Sequence, residues 1–179
     1  MVSLDVIFWM YVILLGFVGA MRGWAKELLV SFSVVLSLFV IMVLEKFVTA
    51  IREGIVAEGG VNLLWMRLGI LFILVFFGYQ TPNLPRLSDS PRFIRDRLQD
   101  SLLGVFVGAV NGFLIFGTFW YFVDKAGYPL SFIQPPQPGT PAGEASMQLL
   151  AALAPQWLAG PVLYFAVALA FVCIFVIFI

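Results

Sequence analysis

Five apolar runs separated by polar stretches set the pattern of hydrophobic and polar positions along this chain. Each run is long enough, or nearly so, to cross the roughly 30 Å hydrocarbon core of a bilayer as a helix. The pattern therefore predicts an all-α integral membrane protein, a bundle of about five transmembrane helices. The runs are Leu4–Met21, Leu28–Ala50, Leu63–Tyr79, Leu102–Val123 and Val162–Ile179.

The first run could be mistaken for a secretory signal. A signal has basic residues before its apolar part and small residues at a cleavage site after it. Here Asp5 leads the run and Met21-Arg22-Gly23-Trp24 follows it. We therefore expect the run to be retained as a helix.

A short polar connection, Arg22 to Glu27, separates the first two runs. Trp24 suits the headgroup level of a bilayer, whereas Arg22 and Lys26 suit its aqueous side. Because so few residues intervene, we expect the first two helices to form an antiparallel hairpin, with the second helix beginning at Leu28.

Gln80 to Asp100 is the most polar stretch of the chain, and its prolines exclude a continuous helix at its start. Ser90-Pro91 then resembles a cap with proline at the first helical position. We expect a short amphipathic helix to follow at the membrane surface. Its apolar side would hold Phe93, Ile94 and Leu98, and its headgroup side Arg92, Arg95 and Arg97.

A second long polar stretch, residues 126–160, precedes the last apolar run. Its segment Pro135–Pro141 contains four prolines and is predicted to be extended and non-helical. Ala145 to Leu153 has helical composition, so we expect a short surface helix there.

Two sets of glycines recur at helical spacing inside the apolar runs. Gly104, Gly108 and Gly112 repeat every four residues, which places them on one stripe of a helix. The second set is Gly16, Gly19 and Gly23. In a bilayer such a glycine zipper lets two helix backbones approach closely. We predict that the two sets face each other or a common neighbour.

Two of the polar side chains within the predicted spans are candidates for a functional role. Asn111 precedes Gly112, and we interpret it as a hydrogen-bonding contact between helices rather than a ligand site. Arg67 lies one turn inside the third run. It could face a solute pathway, but we favour an arginine that extends to the nearby interface.

Composition narrows the possible functions. The chain has 179 residues, of which 62% are hydrophobic and 11% charged, against about a quarter charged in soluble domains. Ten basic and ten acidic residues leave no net charge and hence no footprint for nucleic acid. There is no histidine, and a single cysteine, Cys173, lies in an apolar run. We therefore predict no metal site, no cofactor and no enzymatic activity.

Basic residues also predict an orientation, because cytoplasmic loops of membrane proteins are enriched in them. We expect the richer side to be cytoplasmic, which places the N-terminus and residues 126–160 outside. The richer side would hold Arg22, Lys26, Arg86, Arg92, Arg95 and Arg97, and the other side Lys46, Arg52, Arg67 and Lys125.

Two motifs together resemble the colicin V production protein (CvpA) family of bacterial inner-membrane proteins. One is Leu4-Asp5-Val6 followed by Gly16, Gly19 and Arg22-Gly23-Trp24-Ala25-Lys26-Glu27-Leu28. The other is Asp100-Ser101-Leu102-Leu103-Gly104, continuing through Gly108 and Gly112. The matching pattern is an acidic residue before the first helix, an Arg-Gly-aromatic turn followed by Glu, and a glycine-rich fourth helix.

The resemblance implies a multi-pass protein of the bacterial cytoplasmic membrane, linked to toxin production and envelope maintenance. It also implies three regions: a four-helix core at residues 1–125, an extracytoplasmic proline-rich loop at 126–160, and a C-terminal transmembrane helix at 161–179. The loop and the last helix depart from the family pattern. Some relatives carry a periplasmic serine protease, whose triad this histidine-free chain could not supply.

Three functions remain as hypotheses. The first is a structural, assembly or export-related factor. The second is an accessory subunit of a larger membrane complex, such as an energy-transducing one, docked through the C-terminal helix and outer loop. The third is a small-solute transporter or channel, for which Asn111 is the strongest polar candidate. The expected partners are the bilayer and other membrane proteins. Nineteen phenylalanines would also allow contact with pigment or lipid, although a packed core explains them more simply.

Overall fold

The computed structural model describes residues 4–80, 97–131 and 133–178, and this part of the chain is built from helices and their connections. A π-helical turn, Ile51–Val56, lies between the second and third helices. The α-helices are α1 Leu4–Arg22, α2 Trp24–Phe47, α3 Gly60–Tyr79, α4 Arg97–Lys125, α5 Pro141–Ala152, α6 Ala154–Trp157 and α7 Gly160–Phe178.

Four of these helices, α1 to α4, are long and apolar enough to cross a membrane. This confirms that the chain fits a multi-pass membrane protein whose helices contact the bilayer. Helix α7 is also apolar, but its described apolar stretch, Gly160–Val176, is shorter than the other four. Most of the predicted amphipathic helix, including Arg92 and Arg95, falls on residues outside the described part, whereas its last residues, Arg97 and Leu98, form the start of α4.

Helix α4 is the centre of the bundle, because it contributes to all three clusters of buried apolar side chains. Phe122 and Val123 pack with residues of α2 and α3 and with Leu163 of α7. Leu114 lies in a second cluster with α2, α3 and α6. Trp120 lies in a third with α1. Because α4 buries apolar side chains on several of its sides, the other helices pack around it.

Only Gly23 separates α1 from α2, so the predicted start of α2 at Leu28 is wrong. Gly23 turns the chain with φ 83°, a conformation that favours glycine. The polar residues after it form the first turn of α2, where the carboxylate of Glu27 suits the positive end of the helix.

The main neighbour of α1 is α4 rather than α2. The glycines near the end of α1 therefore pack against α4. Helix α2 packs against α3, α4 and α7. A short connection restricts where two helices can lie, but the side chains and glycines decide which of them pack together.

The proline-rich segment leads into α5, which begins at Pro141 and not at Ala145. Thr140 caps this helix by accepting a hydrogen bond from the Gly143 backbone N–H at 3.1 Å, and Pro141 takes the first helical position. Most of α5 is exposed, as expected of a surface helix. Leu153, which follows it, is fully buried in a cluster with Phe8 and so holds the segment after α4 against the bundle.

Tyr128 anchors the chain just after α4. Its hydroxyl accepts a hydrogen bond from the Trp120 indole N–H at 3.2 Å. Burial raises the pKa of Tyr128 to about 12. The phenol therefore stays protonated at neutral pH and serves as a neutral hydrogen-bonding partner at the start of the segment that follows α4.

Candidate functional site

Helices α1 and α4 meet through a glycine seam, which we define as Gly16, Gly19, Gly104, Gly108 and Gly112. A Cβ atom at Gly19 would overlap the Gly104 carbonyl oxygen and lie 2.9 Å from the Gly108 Cα. A Cβ at Gly112 would lie 2.7 Å from the Val12 Cα. The two glycine sets thus face each other, with backbone in contact with backbone.

The positions along the seam are not equally tight. Cβ atoms at Gly19, Gly104 and Gly108 would overlap backbone oxygen atoms of the facing helix, which cannot move aside as a side chain can. A Cβ at Gly16 would instead lie 3.6 Å from the Ala109 Cβ, an ordinary contact. The seam therefore tolerates a side chain at Gly16 but not at Gly19, Gly104 or Gly108.

Gly23 extends this contact to the start of α2. A Cβ there would lie 2.7 Å from Asp100 Oδ2, so the Asp100 carboxylate approaches the backbone at the N-terminal end of α2. Negative charge is stabilised at that end of a helix. The neighbouring Ser101 hydroxyl donates a hydrogen bond to the Ala20 carbonyl at 3.1 Å. The start of α4 is thereby attached to the junction between α1 and α2.

A polar cluster closes the bundle next to the seam; we call Arg22, Glu27, Ser31 and Asn111 the buried clamp. Glu27 is fully buried, yet both of its carboxylate oxygens have a donor. Arg22 Nη1 donates to Oε1 at 2.6 Å, and Asn111 Nδ2 donates to Oε2 at 2.7 Å. The clamp therefore links α1, α2 and α4.

Further hydrogen bonds form within the clamp and between the clamp and its surroundings. Asn111 Nδ2 lies 2.9 Å from the Glu27 carbonyl oxygen, and Asn111 Oδ1 accepts a hydrogen bond from the Ser31 hydroxyl at 2.6 Å. Arg22 Nη2 donates to the Tyr79 carbonyl at 3.0 Å, and its guanidinium lies 4.5 Å from the centre of the Tyr79 ring. The end of α3 thus joins the clamp.

These contacts alter the interpretation of several predicted residues. Arg22 was expected on the aqueous side, but its side chain is only 20% exposed because it pairs with Glu27. Asn111 makes the predicted interhelical hydrogen bonds. Trp24 and Lys26 are half-buried in the first turn of α2. Arg97 begins α4, and the structure describes its backbone only.

Glu27 is the residue that sequence reasoning missed. Its position in a short polar stretch suggested a solvated connection, whereas the helix that begins at Trp24 carries it into the bundle. A signal existed, since a glutamate one turn into a helix, close to Arg22, has a cation within reach. The partner from α4 could not be identified, because Asn111 is far away in the sequence.

A second ion pair lies towards the other end of α2. Glu45 accepts hydrogen bonds from Arg67 Nε at 2.6 Å and Nη2 at 3.1 Å, and the guanidinium lies 5.4 Å from the centre of the Phe122 ring. The arginine is therefore bound in a two-bond ion pair with Glu45, a partner that the sequence analysis did not name. About 27 Å of helix separates Glu27 from Glu45 at 1.5 Å per residue, close to the thickness of a hydrocarbon core.

Both ion pairs have the chemistry of helix-to-helix contacts. Each carboxylate is matched by an arginine, and in the clamp further hydrogen bonds run from the Asn111 amide to the side chain and carbonyl of Glu27 and from Arg22 to the Tyr79 carbonyl. Among residues 4–80, 97–131 and 133–178, no group of three or more Cys, Asp or Glu side chains is placed to hold a metal ion.

Comparisons with known proteins add no relative. No protein-family model matches this chain, and neither the curated proteins nor the solved structures contain a significant match. The function must therefore be argued from the glycine seam, the buried clamp and the surfaces that they hold in place.

Proposed function

We propose that this protein is a non-enzymatic structural or assembly factor of a bacterial cytoplasmic membrane, with an export-related role. The observation that carries the proposal is the seam between α1 and α4, in which backbones touch and the buried clamp closes the end. The polar groups of the clamp form hydrogen bonds with one another. An interior of this kind favours a rigid protein that acts by binding other membrane proteins through the exposed faces of its helices.

Membership of the CvpA family is part of this proposal. The motif around Arg22 to Glu27 and the motif from Asp100 to Gly112 suggested it as two distant stretches of sequence. They lie together in space, since Asp100 approaches Gly23 and Asn111 binds Glu27. If both motifs of the family form the same helix interface, they are expected to contact each other in the folded chain in this way.

The proposed topology has α7 as a fifth span and the proline-rich segment outside. Arg22 binds the end of α3, while Arg67 binds Glu45 towards the end of α2. The ends of α1 and α3 therefore lie on one side of the bundle, with the start of α4, as alternating spans require. The choice of which side faces the cytoplasm rests on the count of basic residues.

The outer face of α7 favours a second candidate function, an accessory subunit of a larger membrane complex. Helix α7 packs on α2 through one side, where Leu163 is buried. Its other side leaves large apolar residues exposed, among them Phe165 at 77% and Val176 at 78%. A helix that packs through one side has a free face for another protein.

The transporter hypothesis has weaker support, because both the oxygen and the nitrogen of the Asn111 amide already form hydrogen bonds within the bundle.

The assembly role predicts a stoichiometric partner that is lost when the outer face of α7 is altered. Replacing Phe165, Leu169 and Val172 with alanine should leave the fold intact, since all three are exposed. The matched control replaces Phe72, Ile73 and Phe76 with alanine on the exposed face of α3. The measurement is purification of the full chain from its native membrane in mild detergent, followed by quantitative mass spectrometry.

We expect one co-purifying membrane protein in fixed ratio with the unaltered chain and the α3 control, and its loss from the α7 variant. Loss of the partner from both variants would mean that the partner binds exposed apolar surface in general, and the proposed contact through α7 would be refuted. A stable monomer that carries no partner in any of the three preparations would contradict the proposed function.

A further inference from the structure

A pocket of about 510 Å³ opens beside the Glu45–Arg67 ion pair. Its walls come from α2, α3, α4, the π-helical turn and the segment that leads into α7. The π-helical turn contributes Val56, and π-helical geometry is often found at functional sites. This pocket lies at the opposite end of α2 from the buried clamp and has no part in it.

Three basic side chains and one acidic side chain line the pocket: Lys46, Arg67, Lys125 and Glu45. Because Arg67 binds Glu45 through two hydrogen bonds, that carboxylate is already neutralised. Lys46 and Lys125 are exposed and make no ion pair with any residue that the structure describes. The pocket therefore has an excess of two positive charges.

The rest of the lining is apolar. Leu38, Ile41, Leu158 and Leu163 are buried hydrophobic residues of one core cluster and also line the pocket. A free inorganic anion would gain nothing from such a surface. A molecule with an anionic head and a hydrocarbon chain would satisfy both the lysines and the apolar lining.

We propose that this pocket binds an anionic phospholipid. Its phosphate lies between Lys46 and Lys125, and an acyl chain lies along the apolar lining beside Leu38 and Leu163. A lipid whose head group also carries a quaternary ammonium binds less well, because that cation is repelled by the same two lysines. The ligand that the pocket recognises is therefore a lipid whose head group carries a phosphate without a compensating positive charge and whose tail is a hydrocarbon chain.

The test is a titration of the purified full chain in neutral detergent, followed by native mass spectrometry that counts bound lipid. The probes are phosphatidylglycerol, phosphatidylcholine and glycerol 1-phosphate. Each of Lys46→Gln and Lys125→Gln should weaken phosphatidylglycerol binding about fivefold, and the two together about twenty-five-fold. Both lysines are exposed, so the variants should keep the thermal stability of the unaltered chain.

Lys26→Gln is the matched control, since Lys26 is a lysine at the other end of the same helix. It should leave the affinity for phosphatidylglycerol unchanged. Equal affinity in the double variant would overturn the proposal, and so would phosphatidylcholine binding as tightly as phosphatidylglycerol. If glycerol 1-phosphate competed as well as the whole lipid, the pocket would be a site for a free anion and the proposed lipid would be excluded.

Discussion

Replacing Arg22 with glutamine should lower the free energy of unfolding by about 3–5 kcal/mol, because Glu27 would stay buried without its cation. Glu27 is fully buried and Arg22 is the charged partner that reaches it. The same change removes the bond from Arg22 to the Tyr79 carbonyl and so frees the end of α3. The measurement is unfolding of the purified chain in detergent micelles, followed by tryptophan fluorescence.

A double-mutant cycle separates the ion pair from other effects of the substitution. With Glu27→Gln added to Arg22→Gln, no uncompensated charge remains, so part of the lost stability should return. Arg52→Gln is the surface control, because the Arg52–Glu53 pair is exposed; it should cost no more than about 1 kcal/mol. If the double variant were less stable than Arg22→Gln alone by the full cost of Glu27→Gln, the two side chains would not be coupled and the clamp would be refuted.

Replacing Gly108 with alanine should destabilise the bundle by about 1–3 kcal/mol, the usual cost of overpacking a close contact. The added Cβ would overlap the Leu15 carbonyl oxygen and lie 2.9 Å from the Gly19 Cα. Leucine at the same position should prevent α1 and α4 from packing at all. Thermal unfolding of the purified chain in detergent measures both effects.

Gly69 provides the matched control, because it also lies inside a predicted span, in α3, but a Cβ added there would meet no heavy atom within 4 Å outside its own helix backbone. Gly69→Ala should be neutral or slightly stabilising, since alanine is the better helix former. Equal losses from Gly108→Ala and Gly69→Ala would mean that glycine matters for helix flexibility, and the backbone contact in the seam would lose its support.

The sequence predicted the spans well because a bilayer imposes a simple requirement on composition and length. The apolar runs around α1 to α4 correspond to the helices that the structure describes as able to span. It also predicted that Gly19 and Gly108 lie in helix contacts, since small residues at that spacing leave a groove. Both inferences depend on local pattern alone.

The pairing of helices could not be predicted in the same way. The short polar connection from Arg22 to Glu27 predicted a hairpin of the first two helices, yet the main neighbour of α1 is α4. Lipid-facing and protein-facing apolar residues look alike in sequence, because lipid tails are as apolar as leucine. The contact of Glu27 with Asn111 and the contact of Arg67 with Glu45 were missed for a related reason, since each joins two helices whose residues are far apart in the sequence.

The two ends of α2 have different characters. At one end the polar groups bind one another and close the bundle. At the other end the ion pair leaves Lys46 and Lys125 open beside an apolar pocket. The contacts at the first end hold the helices of the bundle together. The second end is where we propose that an anionic lipid of the membrane binds.

Cysteine cross-linking in the native membrane shows directly whether α1 and α4 pack through the glycine seam. A Cβ at Gly16 would lie 3.6 Å from the Ala109 Cβ, within the range of about 3.5–4.5 Å that disulfides require. Gly16→Cys and Ala109→Cys would be combined in a Cys173→Ser background, because Cys173 is the single native cysteine. Ala109→Cys with Gly69→Cys is the control pair. We predict rapid disulfide formation in the first pair and none in the control; no cross-link between Gly16→Cys and Ala109→Cys would contradict the packing of α1 on α4.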